Sequence, residues 1–226
     1  MKKFLLATVL GCLLCGPATA GAATGVFQRP ERPATEADPW HRRIQPLWQR
    51  VLEAEREKPG FSANAAGFGP VDAPTWKNLV RYAKQSDAME RLRAVNGYFN
   101  QWRPKNDEDT WNTPEYWAAP GEFIAQRGGD CEDYAIAKYF ALRFLGVAAD
   151  RLRIVVVQRK DEHGAYAAQL HAVLAARANG GWFVLDNNAR PKNNIFPHTQ
   201  YRGRFEPLYS VNENGAWTHG GKAARD

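Results

Sequence analysis

The hydrophobic pattern divides the chain into a helical first half and a strand-bearing second half. Trp40, Ile44, Leu47, Trp48, Val51 and Leu52 fall on one stripe, predicting an amphipathic helix from Trp40 to Lys58. Pro46 lies inside it, so the first turn is kinked or the helix starts nearby. After a Gly/Ala/Asn loop over Pro59 to Pro70, Pro74 suits a helix first turn that Trp76, Leu79, Val80 and Ala83 continue. Asp87-Ala-Met-Glu90 is a capping-box analogue and opens another helix, with Met89, Leu92, Val95, Phe99 and Trp102 at three-to-four spacing. These stripes read as core. Pro104 to Gly121 has no period; a loop of that length carrying Trp111, Tyr116 and Trp117 predicts an ordered wall beside a site.

The second half turns on Arg127-Gly-Gly-Asp-Cys-Glu-Asp-Tyr134. Two glycines allow a tight approach, Asp130 is a good N-cap, and Cys131 takes the first helical position. Ala135, Lys138 (through its stem), Leu142 and Leu145 continue the helix until Gly146 stops it. Leu152 to Gln158 is β-branched and almost continuously apolar, as a buried central strand would be. Gln169 to Ala176 and Trp182 to Asp186 flank Asn179-Gly-Gly181 and predict a hairpin. With a four-residue loop at Arg177 to Gly180, Ala176 faces Gly181 and His171 stands opposite Asp186. A slip of one residue would put the two on opposite faces. A last hairpin is expected over Tyr209 to Trp217 around Asn214-Gly215.

The beginning of the chain sets the compartment. Lys2 and Lys3, an apolar run from Phe4 to Cys15, and Ala18-Thr19-Ala20 read as a secretory signal over residues 1–20, cleaved after about Ala20. Val9-Leu10-Gly11-Cys12 offers a lipoprotein reading, but Leu13 and Leu14 carry the apolar run past that cysteine. The expected location is the periplasm. Residues 21–38 lack a period and read as a flexible arm; residues 39–226 form one catalytic domain, helical over 39–103, with the Cys helix and sheet in 104–226. Loss of Lys2 and Lys3 lowers the net charge from +6 to about +4, and the remaining bases are scattered. No nucleic-acid partner is expected from that distribution.

With Cys12 and Cys15 inside the leader, Cys131 is the one thiol left, and a solitary thiol in an exported chain favours a chemical role over a disulfide. A helix N-terminus stabilises a thiolate through its free N–H groups and dipole. Cys131, His171 and Asp186 then follow in the order a triad needs: nucleophile, general base, and the acid that orients the imidazole. Each has a bland counterpart, namely a buried cysteine, a hydrogen-bonded strand histidine and a turn-forming aspartate; the three together outweigh them. His41, His163, His198 and His219 are taken as structural or solvent-facing. The triad also fits acyl transfer by a transglutaminase or an amidase acting on cell-wall peptides, and a non-catalytic binding module is the third possibility.

Asp130, Glu132 and Asp133 crowd negative charge around a thiol that must ionise, which calls for a compensating cation. Carboxylate oxygens suit a hard ion such as Ca²⁺, with more oxygens from backbone, water or Asp107 to Asp109. On chemistry alone the alternative stands level: Asp130 caps the helix, Asp133 completes a capping box, and Glu132 faces water or Arg127.

The segments Gly128-Gly-Asp-Cys-Glu-Asp-Tyr-Ala-Ile-Ala-Lys-Tyr-Phe-Ala-Leu-Arg143, His171-Ala-Val-Leu174, Val184-Leu-Asp-Asn187 and Tyr209-Ser-Val-Asn212 resemble the bacterial transglutaminase-like cysteine proteinases. That resemblance implies an α+β fold of papain-like/transglutaminase-like type with an N-terminal helical part. It places the family's nucleophile, histidine and acid on Cys131, His171 and Asp186. It further implies a calcium-dependent endopeptidase that clips the N-terminal region of a large surface adhesin at a small-residue site, controlling biofilm attachment. The implied inhibitor is the periplasmic domain of an inner-membrane cyclic-di-GMP receptor. Gln169-Leu-His-Ala172 departs from the family's usual Gln-Ala-His-Met, which bears on pocket shape and not on the triad.

Overall fold

The structure, a computed structural model, describes residues 25–61, 73–160, 166–201 and 203–220. The expected leader, with Cys12, Cys15 and the cleavage site, lies outside the described residues, as does His163.

In chain order the elements are β1 (Glu31–Pro33), α1 (Pro39–Glu57), α2 (Ala73–Gln85), α3 (Ala88–Phe99), α4 (Asp107–Trp111), α5 (Pro120–Gln126) and α6 (Cys131–Phe144). Then follow β2 (Leu152–Lys160), β3 (Tyr166–Ala178), β4 (Gly181–Leu185), β5 (Phe196–Pro197), α7 (His198–Tyr201), β6 (Phe205–Asn212) and β7 (Gly215–His219). The strands form one antiparallel sheet in the order β1-β7-β6-β2-β3-β4-β5. The fold is therefore α+β, with a helical first part laid against an antiparallel sheet.

Alternation along the strands separates two apolar layers. Ile154, Val156, Leu174, Ala176 and Leu185 face the helices and share a core with Trp48, Phe99, Phe123 and the buried length of α6. Val155, Val157, Val173, Ala175 and Val184 face the other way and pack with Val26, Phe27 and Tyr201. This is why β2 is apolar at four successive positions, Ile154 to Val157, and not at alternate ones: both of its faces are covered there. The cover includes residues expected to be a flexible arm. From Gly25 onward that segment belongs to the fold, since Val26 and Phe27 are fully buried and β1 pairs with β7. Its anchors are contacts with distant parts of the chain, not a periodic stripe. The Phe27 N–H donates to His198 Nδ1 at 2.8 Å, and Arg153 holds Glu31 at 2.7 Å.

The helices begin as their sequences direct. Asp87 Oδ1 accepts the Glu90 N–H at 2.9 Å, capping α3. Pro46 sits inside a continuous α1, with Ile44, Trp48 and Val51 buried and Trp48 Nε1 donating to Asn212 O at 3.1 Å. The stretch expected as a loop over Pro104 to Gly121 contains α4 and the start of α5. It is ordered by Trp111 stacked on Tyr116 at 4.4 Å, and by the Arg50 guanidinium 4.1 Å over the Tyr116 ring.

The β3–β4 hairpin corrects one expectation in detail. Its turn is Asn179-Gly180 alone, with φ of 45° and 79°, the two-residue form that an Asn-Gly pair favours. Ala176 therefore pairs with Phe183, not Gly181. The displacement is two residues, an even number, so His171 and Asp186 keep a common face although they are not directly opposed.

Candidate active site

Two glycines bring the chain into α6. A Cβ on Gly128, whose φ is +149°, would lie 2.0 Å from the Arg103 carbonyl oxygen. One on Gly129 would lie 2.1 Å from Asp133 Oδ2. Only glycine permits this approach, and it delivers Cys131 as the first residue of the helix. Asp130 occupies the N-cap position with extended backbone, yet its side chain makes no capping bond, contrary to the expected cap.

The hairpin supplies the partners. The last β3–β4 pair is Leu174 with Leu185, so β3 runs on past the end of β4. There the Ala172 N–H donates to Cys131 Sγ at 3.3 Å, and Sγ itself donates to Glu132 Oε2 at 3.2 Å. His171, the residue before it, bonds Asp186 Oδ1 through Nε2 at 2.9 Å, which leaves Nδ1 as the other ring nitrogen. Asp186 Oδ1 also accepts the Asn188 N–H at 2.9 Å, while Tyr201 Oη donates to Oδ2. The backbone oxygen of Asp186 accepts from Asn100 Nδ2 at 2.8 Å, tying the acid to the end of α3. Phe205 closes the circle, its ring 5.9 Å from His171 and stacked 4.9 Å from Tyr201. The structure thus gathers Cys131, His171 and Asp186 at one place. Tyr201 and Asn100 were invisible to sequence reasoning; a lone Tyr in an irregular tail carries no signal.

Electrostatics separate the two ends of the site. Burial raises the Asp186 carboxyl, but its bonds to His171, Tyr201 and the Asn188 N–H prevail and hold it down at about 2. The thiol moves the opposite way. Burial, followed by the charges of Glu132 and Asp130, pushes Cys131 well above the ordinary range of a thiol. Burial and the two carboxylates oppose the helix terminus here, the opposition expected from the crowding of Asp130 and Glu132 around the thiol.

Those carboxylates form the second feature. Oxygens of Asp107, Asp130 and Glu132 all lie within 4.8 Å of one another. Burial first, then the charges of Asp107 and Glu115, raise Asp130 to about 6, and burial with the Asp130 charge raises Glu132 well above its usual range. Asp130 Oδ1 is buried with no hydrogen-bond partner among the described residues. Three convergent oxygens, one of them orphaned, fit a hard divalent cation such as Ca²⁺. Of the residues expected to ligate, Asp130 and Glu132 stand in this group and Asp133 does not. Its Oδ1 accepts the Ala118 N–H at 2.7 Å, so it braces the wall behind the helix. Asp107, from α4, takes the third place.

Thiol, imidazole and acidic group open on a single cleft of about 1390 Å³, also lined by Glu115 and Trp117 from the aromatic segment. The other described histidines serve structure. His41 and Tyr209 are 3.0 Å apart, His198 holds Phe27, and His219 is 2.8 Å from Ser210 Oγ.

A cysteine opening a helix, packed on an antiparallel sheet that bears histidine and aspartate, defines a transglutaminase-like cysteine peptidase fold. A sequence model of one such family matches residues 73–223, and the chain belongs to it: the bacterial transglutaminase-like cysteine proteinases. Among solved structures, calcium-bound LapG of Legionella pneumophila is similar at 27% identity and a TM-score of 0.53, over 81% of this chain and 93% of that one. A second LapG structure gives 27% and 0.52, over 83% and 90%. EGTA-treated LapG gives 26% and 0.53, over 84% and 88%. No curated protein matches the chain in sequence.

Proposed function

We propose that this cysteine peptidase is a calcium-dependent periplasmic endopeptidase that cuts the N-terminal region of a large surface adhesin. The observation that carries the catalytic part is the His171–Asp186 bond of 2.9 Å beside a thiol held on the Ala172 amide. Cys131 Sγ attacks the scissile carbonyl carbon as its proton passes to His171. The tetrahedral adduct collapses, the C–N bond breaks, and the imidazolium returns the proton to the leaving amine. Water, deprotonated by His171, then cleaves the thioester and regenerates the thiol. Asp186 keeps Nε2 protonated and offsets the imidazolium charge.

Asp107, Asp130 and Glu132 would hold the Ca²⁺, in keeping with the calcium-bound and EGTA-treated forms in which LapG is known. The ion would supply positive charge beside the thiol, where carboxylates now oppose its ionisation. The family resemblance and the expected leader over residues 1–20 support the adhesin substrate, the periplasmic location and inhibition by the periplasmic domain of a cyclic-di-GMP receptor.

The test is incubation of the purified protein with an adhesin N-terminal fragment in Ca²⁺. One new N-terminus is expected, absent with Cys131→Ala and with His171→Ala. Full cleavage by Cys131→Ala would overturn the reading. Incorporation of an amine in place of a new N-terminus would assign the chemistry to acyl transfer.

A further inference from the structure

Six basic side chains line the cleft, and they differ in what they already touch. Arg43 is paired with Glu115, Lys105 donates to the Gln126 carbonyl, and Lys160 lies 3.1 Å from Glu206. Arg159, Arg190 and Arg204 are exposed, and none has a carboxylate within ion-pair distance among the described residues. The polar contact of Arg190 is a donation from Nη1 to the Ala189 carbonyl at 2.8 Å.

Their placement is determined by backbone. Arg159 pairs with Phe205 across β2 and β6, and Arg204 precedes Phe205 in the chain. The Lys160 N–H donates to the Arg204 carbonyl at 2.7 Å, and the Arg204 N–H to the Tyr201 carbonyl at 2.9 Å. Both stems thus leave rigid backbone on either side of Phe205, whose ring lies 5.9 Å from His171. Arg190 enters from the segment that follows Asp186. Apart from Asp186, which is engaged by His171 and Tyr201, the acidic lining comes from other elements, namely α4, the segment after it, and the start of α6. The cleft is charged in two zones: carboxylates on the thiol side, unneutralised guanidinium groups on the histidine side.

We infer that Arg159, Arg190 and Arg204 form a carboxylate-reading subsite, so that the preferred substrate is a peptide carrying Asp or Glu beside its cleavage point. Guanidinium forks match carboxylates in geometry, and the planar fork loses less freedom per hydrogen bond formed than a lysine ammonium does. A uniformly anionic polymer, such as a nucleic acid, would meet repulsion from the acidic zone of the same cleft. A peptide with localised carboxylates fits both zones. The inference rests on the peptidase reading, because the peptide must span the thiol.

The experiment uses three fluorogenic peptides with a common Ala-Ala core and flanks of Asp, Asn or Lys, assayed with the full chain in Ca²⁺. At low ionic strength the Asp-flanked peptide is expected to exceed the Asn-flanked one about tenfold in kcat/KM, with Lys lowest. Near 1 M salt, where the screening length is about 3 Å, the advantage collapses. Arg159→Gln/Arg204→Gln should bring the Asp-to-Asn ratio below about twofold. Lys77→Gln/Lys84→Gln, an equal loss of two charges at exposed positions of α2, should keep it. Equal rates for all three peptides, or a ratio that survives in the double variant, would overturn the subsite. Binding of the same peptides to Cys131→Ala by fluorescence anisotropy separates the two readings. An acidic preference in binding with no turnover in the parent protein sinks the peptidase and keeps the subsite. No acidic preference in binding sinks the subsite whatever the turnover.

Discussion

Tyr201→Phe isolates a single oxygen and leaves the ring in place. The ring packs on Phe205 at 4.9 Å and against Phe27 at 6.1 Å, and both contacts survive the change. The hydroxyl is what Asp186 Oδ2 loses, while Oδ1 keeps His171 and the Asn188 N–H. A hydrogen bond to a buried charged group contributes about 1.5–3 kcal/mol. If half of that is expressed in holding the imidazole, about 0.75–1.5 kcal/mol appears in the barrier, a fall of about four- to twelvefold in kcat with KM little changed. Asp186 in the fold titrates near 2 against an ordinary 3.8, so it contributes stability above pH 4 that is lost as pH falls through 2. Removing one of its donors raises the folded value, so that loss begins at higher pH and acid unfolding moves upward. The assay is steady-state peptide cleavage from pH 5 to 9, paired with acid unfolding followed by circular dichroism. Wild-type kcat throughout, with an unmoved acid midpoint, would refute the positioning role of Tyr201.

Three further outcomes concern the acidic group, α6 and the core. Ca²⁺ at a hundred times its Kd should stabilise the fold by about 2.7 kcal/mol in thermal unfolding, Mg²⁺ should not, and Asp107→Asn should weaken the effect; a Ca²⁺-independent midpoint would remove the ion from this site. Lys138 is wholly buried with an unpartnered Nζ 5.6 Å from the Tyr134 ring, and burial lowers it to about 7 despite the nearby Asp186 charge. Protonation is then a penalty that grows as pH falls from about 10.5 to 7, so Lys138→Met should stabilise the protein by on the order of 1–4 kcal/mol at pH 7, with the gain vanishing toward pH 10.5; chemical denaturation at pH 7 and pH 10 measures it. Trp48→Ala removes a fully buried indole between Tyr139, at 5.5 Å, and Phe140, at 5.8 Å, and should cost about 3–5 kcal/mol in urea denaturation.

Local chemistry was legible wherever a residue's role depends on its neighbours in the chain. The stripe of α1, the Asp87 cap, the glycines before Cys131 and the place of the β3–β4 turn, though not its length, were readable because capping, periodicity and positive φ act within a few residues. An assumed four-residue hairpin loop sets His171 opposite Asp186, and the actual register, displaced by two residues, keeps them on one face. Tertiary structure decided what depends on distant segments meeting. Whether Lys138 keeps its ammonium in water, as its stem-only reading assumed, rests on what covers α6, and the core covers it entirely. Residues 25–38 carry no period, yet Val26 and Phe27 are buried because the outer face of β2 and β3 needs a lid. The same holds at the acidic group. Asp130, Glu132 and Asp133 are equivalent in a sequence; the turn of α6 sends Asp133 to the Ala118 amide, and the packing of α4 brings Asp107 to the other two. Chain spacing limits which carboxylates are near the thiol, and only the packed helices choose which of them point at one another.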